Sequence, residues 1–143
     1  MFDDTRVGAA MTSGVISCPP DTALAEVASI MSERGVHAVY VFDEDASELW
    51  GLVSDIDLVA AARGDLDHLT ARDASVTPLF LVDTHDSLDR AAQLVAENDV
   101  SNLTVVDPKM RRPVGVLSTL DLARVIADQP RERSKMTSTL NCS

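Results

Sequence analysis

The sequence predicts an α+β fold, built as two β-α-β-β-α repeats packed as a pseudo-two-fold pair. Three observations carry that prediction. First, the chain repeats itself without a gap at an offset of 64 residues. Leu24 falls on Leu88, Ala28 on Ala92, Glu33 on Glu97, Val36 on Val100, Val41 on Val105 and Asp43 on Asp107. Gly51, Ser54, Asp57 and Leu58 fall on Gly115, Ser118, Asp121 and Leu122, and Ala10 on Ala74. Second, each copy alternates short apolar runs with segments of helical periodicity. Third, 143 residues with 45% apolar side chains suffice for a real core. Two copies of one unit hide their apolar faces by packing on each other, which creates a pair of equivalent clefts. The repeats are placed at 7–64 and 69–128, with a loosely held polar tail at 129–143.

In the first copy, Val15 to Cys18 reads as a strand, ended by Pro19-Pro20. Asp21 or Thr22 can cap the next helix. There Leu24, Val27, Ala28 and Met31 recur at i, i+3, i+4 and i+7, giving one apolar face, and Gly35 stops the helix. Ala38 to Phe42 is an apolar strand, Asp43 to Glu48 a polar turn and Leu49 to Val53 the returning hairpin strand. Ser54 opens a second helix through Ala62. After the linker Gly64 to His68, the second copy repeats this order. Leu79 to Val82 is the strand, and Leu88, Ala91, Ala92 and Val95 line the helix. Asn102 to Val106 and Pro113 to Leu117 form the hairpin, and Asp121 to Ala127 is the closing helix. On the closing helices, Leu58, Val59 and Ala62, with Leu122, Val125 and Ile126, form apolar stripes. Short terminal helices have little else to cover them, so these stripes are read as a homodimer interface rather than as internal core.

The formal net charge is −11, from 12 Lys plus Arg against 23 Asp plus Glu. Such a surface repels phosphate backbones, which disfavours nucleic-acid binding but leaves room for a small nucleotide held by local groups. No apolar stretch approaches the roughly 20 residues that span a membrane, and the acidic start Met1-Phe2-Asp3-Asp4 is unlike a secretory signal. A cytoplasmic location is expected. The two cysteines, Cys18 and Cys142, suggest neither a disulfide framework nor zinc, and Cys18 reads as a small buried apolar residue. Asp65, Asp67 and His68 read as a solvated linker rather than a metal site. Phosphate-loop, nucleophile-elbow and zinc-protease motifs are all missing, and His37, His68 and His85 lie far apart. An enzyme is therefore not expected.

The unit Gly-apolar-apolar-Ser-x-x-Asp occurs twice, as Gly51 to Asp57 and Gly115 to Asp121. Upstream of each stands an apolar strand ending in Asp, with Val36-His37 or Val100-Ser101 before it. Earlier still comes Pro20-Asp21-Thr22-Ala23-Leu24 at a helix start. In order, spacing and duplication the chain resembles a tandem pair of cystathionine-β-synthase (CBS) domains over residues 7 to 127. The resemblance implies a stand-alone regulatory module that senses an adenosine-containing ligand between the repeats. The implied ligand class is AMP, ADP, ATP, NAD or S-adenosylmethionine, with no required cofactor. It implies a homodimer and an effector protein whose identity is unknown.

Site residues follow from the resemblance position by position. Asp57 and Asp121 would accept hydrogen bonds from ribose hydroxyls, as an ionised carboxylate can. Ser54 and Ser118 would lie beside phosphate or ribose, at a helix start whose backbone N–H groups favour anions. His37 would meet a phosphate. Ile16 and Phe80 would flank an adenine, and Thr12 and Thr77 would lie near the cleft mouth. The family's basic-x-Leu-Pro stretch is replaced by His37-Ala38-Val39-Tyr40 and Ser101-Asn102-Leu103-Thr104, so the second copy has no basic residue there. Ser-x-x-Asp at a helix start is also a capping box that needs no ligand. The alternative function is accordingly a protein-interaction scaffold with vestigial clefts.

Overall fold

The computed structural model describes residues 2, 4–76 and 79–129. Thr77 and Cys142, and all but the first residue of the 129–143 tail, fall outside the described residues. The elements run α1 (Val7–Ala10), β1 (Thr12–Ser13), β2 (Ser17–Cys18), α2 (Leu24–Arg34), β3 (Ala38–Asp43), β4 (Glu48–Ser54) and α3 (Asp55–Ala61). The order returns, with an isolated bridge at Val76 in the place of β1, as α4 (Ala71–Ala74), β5 (Leu81–Asp83), α5 (Leu88–Asn98), β6 (Asn102–Val106), β7 (Pro113–Ser118) and α6 (Thr119–Ala127). One sheet is β2-β3-β4, and the other is β1-β7-β6-β5. In both, a short parallel strand flanks an antiparallel hairpin. The α+β pair of repeats is thus observed.

Helix α2 buries Leu24, Val27 and Met31, as its periodicity predicts, and ends at Gly35 in the left-handed region with φ 65°. The repeat equivalent of Gly35 is Asp99, which closes α5 at φ 52°. A Cβ in that conformation costs about 1 kcal/mol, although Asp tolerates it better than most residues. Asp99→Gly should raise stability by roughly 0.5–1 kcal/mol, measured as a higher urea midpoint at unchanged slope. A lower midpoint would show that the Asp99 side chain contributes more than its strain costs.

The caps predicted for α2 are not used. Its N-cap is Ala23, with no side-chain cap, and the Leu24 N–H donates to the Leu69 carbonyl at 2.9 Å. A neighbouring segment therefore closes this helix end in place of Asp21 or Thr22. In the second copy the Leu88 N–H likewise donates to Thr5 O at 3.2 Å, beside an ordinary Ser87 cap.

These two bonds belong to a reciprocal exchange of segments. The α1 strip docks on the second unit, where the Val7 and Gly8 N–H groups donate to Asp86 O and Thr84 O. The α4 strip docks on the first unit, where the Ala71 and Arg72 N–H groups donate to Thr22 O and Pro20 O. β1 then pairs with β7 through Thr12↔Val116, and Val76 forms the matching bridge with Leu52. Every one of these contacts has its mate at the repeat offset. The cores follow the exchange. Phe2 and Val7 are buried with Val82, Leu88, Leu103, Val105 and Leu117, while Ala71 is buried with Cys18, Leu24, Val27, Val39, Val41 and Val53.

The two sheets meet at Tyr40 and Thr104, whose hydroxyl oxygens lie 2.9 Å apart and buried. These are repeat-equivalent positions. Under a two-fold, a residue touching its own equivalent lies on the axis, so this pair marks the pseudo-dyad. At the far ends of the strands, the Arg112 guanidinium stacks over Phe42 at 5.0 Å and pairs with Glu44, tying the two hairpins together.

The stripes on the closing helices divide differently from the expectation. Leu58, Leu122, Val125 and Ile126 pack on the two cores, because they lie on the sides of α3 and α6 that face the sheets. The residues left in solvent are Ile56, Val59 and Leu120, which are 76%, 70% and 57% exposed. Of the predicted stripes, Val59 is among these, and the small Ala62 is exposed as well.

Candidate functional site

Between the sheets lies a cavity of about 700 Å³. Its lining includes the repeat-equivalent pairs Ile16/Phe80, Val36/Val100, Ala38/Asn102, Tyr40/Thr104 and Leu52/Val116. Such pairing places the cavity across the pseudo-dyad. Residues of both copies line this one space. Its size lies within the range of small-molecule sites, and its walls are mainly apolar with a few polar groups, as such sites are.

The fold positions each wall from backbone outward. The Tyr40 N–H donates to Ile16 O and the Thr104 N–H to Phe80 O, both at 2.9 Å, which holds the apolar Ile16 and Phe80 beside the axial pair. Gly14, at φ 87°, turns the chain between β1 and β2 so that Thr12 and Ser13 face the same space. Among the described residues, the polar lining consists of Thr12, Ser13, His37, Tyr40, Asn102 and Thr104, with no Lys, Arg, Asp or Glu. His37 stands at the rim with its side chain 90% exposed, its Nδ1 3.1 Å from Asp55 Oδ2. Burial pushes the Tyr40 phenol up from its ordinary value, against a smaller opposing effect of the Thr104 hydrogen bond. The phenol therefore keeps its proton near neutral pH.

Of the residues expected at the site, Thr12, Ile16, His37 and Phe80 come together on this lining. Ser54, Asp57, Ser118 and Asp121 do not line it. They form two capping boxes just beside it. The Asp57 carboxylate accepts from the Ser54 N–H at 2.9 Å and hydroxyl at 2.8 Å, while Ser54 Oγ accepts from the Asp57 N–H. Asp121 accepts from the Ser118 N–H at 2.9 Å, and Ser118 Oγ accepts from the Asp121 N–H. Ser54 pairs with Ala38 and Ser118 with Asn102, so each motif starts one strand away from a lining residue.

The two boxes differ. Asp121 is buried, and its second oxygen faces the Arg124 guanidinium at 3.5 Å. Asp57 is half-buried, and all its hydrogen bonds among the described residues fall on one oxygen, Oδ2. In the linker, the Asp65 carboxylate accepts from the Asp67 N–H and the His68 ring. Those bonds, the His68 bond foremost, hold it below the usual carboxylate range. Among the described residues there is no group of three metal-ligating side chains, and no helix is long and apolar enough to cross a membrane.

Sequence reasoning missed Tyr40, Asn102 and Thr104. A signal was available, since two hydroxyl residues sit at equivalent positions in otherwise apolar strands.

The profile of the CBS domain family matches residues 7–64 and 71–128. The CBS domain-containing protein YhcV of Bacillus subtilis (strain 168) is 29% identical over 115 residues, which are 79% of each chain. The uncharacterized protein YlbB of the same organism is 28% identical over 134 residues, covering 91% of this chain and 86% of that one. Among solved structures, the CBS domain pair of protein MJ0100, in complex with 5′-methylthioadenosine and S-adenosyl-L-methionine, superposes with a TM-score of 0.66 at 20% identity. That match covers 86% of this chain and 96% of MJ0100's. The cytosolic domain of the Mg2+ channel MgtE, in complex with ATP, gives 0.72 at 23% identity over 86% of this chain and 49% of its own.

Proposed function

The chain belongs to the CBS domain family, of which it carries two copies, and from that premise we propose a regulatory module that binds an adenosine-containing ligand in the axial cavity. The observation that carries this reading is the cavity itself: a volume large enough for a purine, mainly apolar walls, and hydroxyl, amide and imidazole groups with no Lys, Arg, Asp or Glu among the described residues. The ligands of the MJ0100 and MgtE structures support the adenosyl class. Binding would then be read out through the angle between the units or the geometry of a dimer, by differential affinity for two arrangements. The module does no chemistry of its own and works in the cytoplasm, beside an effector protein.

Ile16 and Phe80 sandwich the purine, and Thr12 and His37 guard the mouth. The ribose sits on the Asp57 side, where Oδ1 is left to accept a hydroxyl, with Ser54 beside it; Asp121 and Ser118 keep to capping. Among the described lining residues a triphosphate would meet His37 and no Lys or Arg, on a chain of net charge −11. Calorimetry should therefore rank adenosine, 5′-methylthioadenosine and S-adenosylmethionine above ATP. Asp57→Ala should weaken binding about fivefold, and Asp121→Ala much less. No heat and no thermal shift with any of these compounds at millimolar concentration would end the reading.

The scaffold reading keeps one observation of its own, the exposed Ile56, Val59 and Leu120 on α3 and α6. A homodimer through that face should sediment as a dimer and become a monomer on Ile56→Glu with Leu120→Glu. A wild-type monomer at high micromolar concentration would remove it.

A further inference from the structure

We infer that the cavity takes a single ligand per chain, lying across the pseudo-dyad and accepting a hydrogen bond from the Tyr40–Thr104 hydroxyl pair. The inference rests on the adenosine reading of the same cavity and adds to it the stoichiometry and a recognition group.

Two hydroxyls carry two O–H donors. The bond between Tyr40 and Thr104, at 2.9 Å, uses one of them. Whichever oxygen accepts still holds a proton of its own, and neither hydroxyl has another partner among the described residues. Both residues are about 95% buried, Tyr40 at 4% and Thr104 at 5% exposure, and both line the cavity. A buried donor left unspent costs free energy, and the cavity is the place where an acceptor can reach it. An acceptor of purine type, a ring nitrogen or a ribose oxygen, meets that need.

The position of the pair sets the stoichiometry. Repeat equivalents that touch lie on the axis, and a ligand bonded there occupies the point that its symmetry mate would need. Twin occupancy is thereby blocked, although the repeat provides two equivalent halves of wall. The pair also breaks the symmetry, since a phenol faces a threonine, so one of the two ligand orientations is preferred.

The test is calorimetry with adenosine and 5′-methylthioadenosine on the full chain, wild type and the double variant Tyr40→Phe with Thr104→Val. Removing both hydroxyls in near-isosteric form leaves no orphan, so the double variant should fold with a melting temperature close to wild type. The expected result is one site per chain in the wild type and about a tenfold loss of affinity in the double variant. Thr104→Ser, which keeps the hydroxyl, should bind within about twofold of wild type. Two sites per chain, or a folded double variant that binds like wild type, would overturn the axial proposal while leaving the adenosine site standing. No binding by wild type would overturn both. If the double variant melts early, Tyr40→Phe and Thr104→Val separately decide the case, and unchanged affinity in both counts against the pair.

Discussion

Val7→Asp is expected to disrupt the second unit, although Val7 stands at the head of the first. Val7 is fully buried and packs with Leu88, Leu103, Val105 and Leu117. An aspartate there would leave an unpaired charge among apolar side chains, with no cation in the cluster to meet it. The cost should exceed about 4 kcal/mol, a large part of the stability of a domain this size. Val7→Ala, which only opens a small cavity, should cost about 1–2 kcal/mol. Urea unfolding measures the size of the effect, and hydrogen exchange locates it. Amides of β5, β6 and β7 should lose protection before those of β3 and β4. Loss that starts in the first unit instead would mean that α1 does not dock across the dyad.

Gly115→Val should produce the second large effect. A Cβ at Gly115 would sit 2.6 Å from Met11 Sδ and 2.9 Å from Thr12 O. The methionine can swing aside, but the carbonyl belongs to the strand backbone and cannot move without breaking the Thr12↔Val116 and Ser13↔Gly115 pairing. We expect a loss of about 3 kcal/mol, with Gly115→Ala costing less. Because Thr12 and Ser13 line the cavity, ligand affinity should fall along with stability. A valine variant that keeps wild-type stability would show that β1 contributes little to closing the fold.

Much of this architecture is legible in the residues. The spacing of Leu24, Val27 and Met31 and the stop at Gly35 place α2, and Ser54 and Ser118 open α3 and α6 as their capping boxes require. Hairpin strands rich in Val and Leu fall within about a residue of expectation. The short helices α1 and α4 escaped because four residues make little more than one turn, too short for a periodicity to repeat. The cap of α2 escaped because a tertiary carbonyl, Leu69 O, replaces a local side chain. At the site, Ile16, Phe80, His37 and Thr12 could be placed by the family resemblance. Tyr40 and Thr104 could not, since their role depends on two sheets meeting at a dyad that no local pattern records. The division of the closing-helix stripes was hidden for a related reason. Leu58 and Leu122 look alike on a helical wheel whether they face a sheet of their own chain or a second molecule.

The crossed strips also govern what a half-molecule can be. Severed between the copies, the gene would yield two products, each lacking the strip that finishes its own barrel of contacts and each carrying the one its neighbour needs. On the ribosome, the leading half must wait with Leu24 and Val27 incompletely covered until Ala71 emerges. A lone ancestral copy would have met the same shortage, and could have met it only by trading strips with its twin.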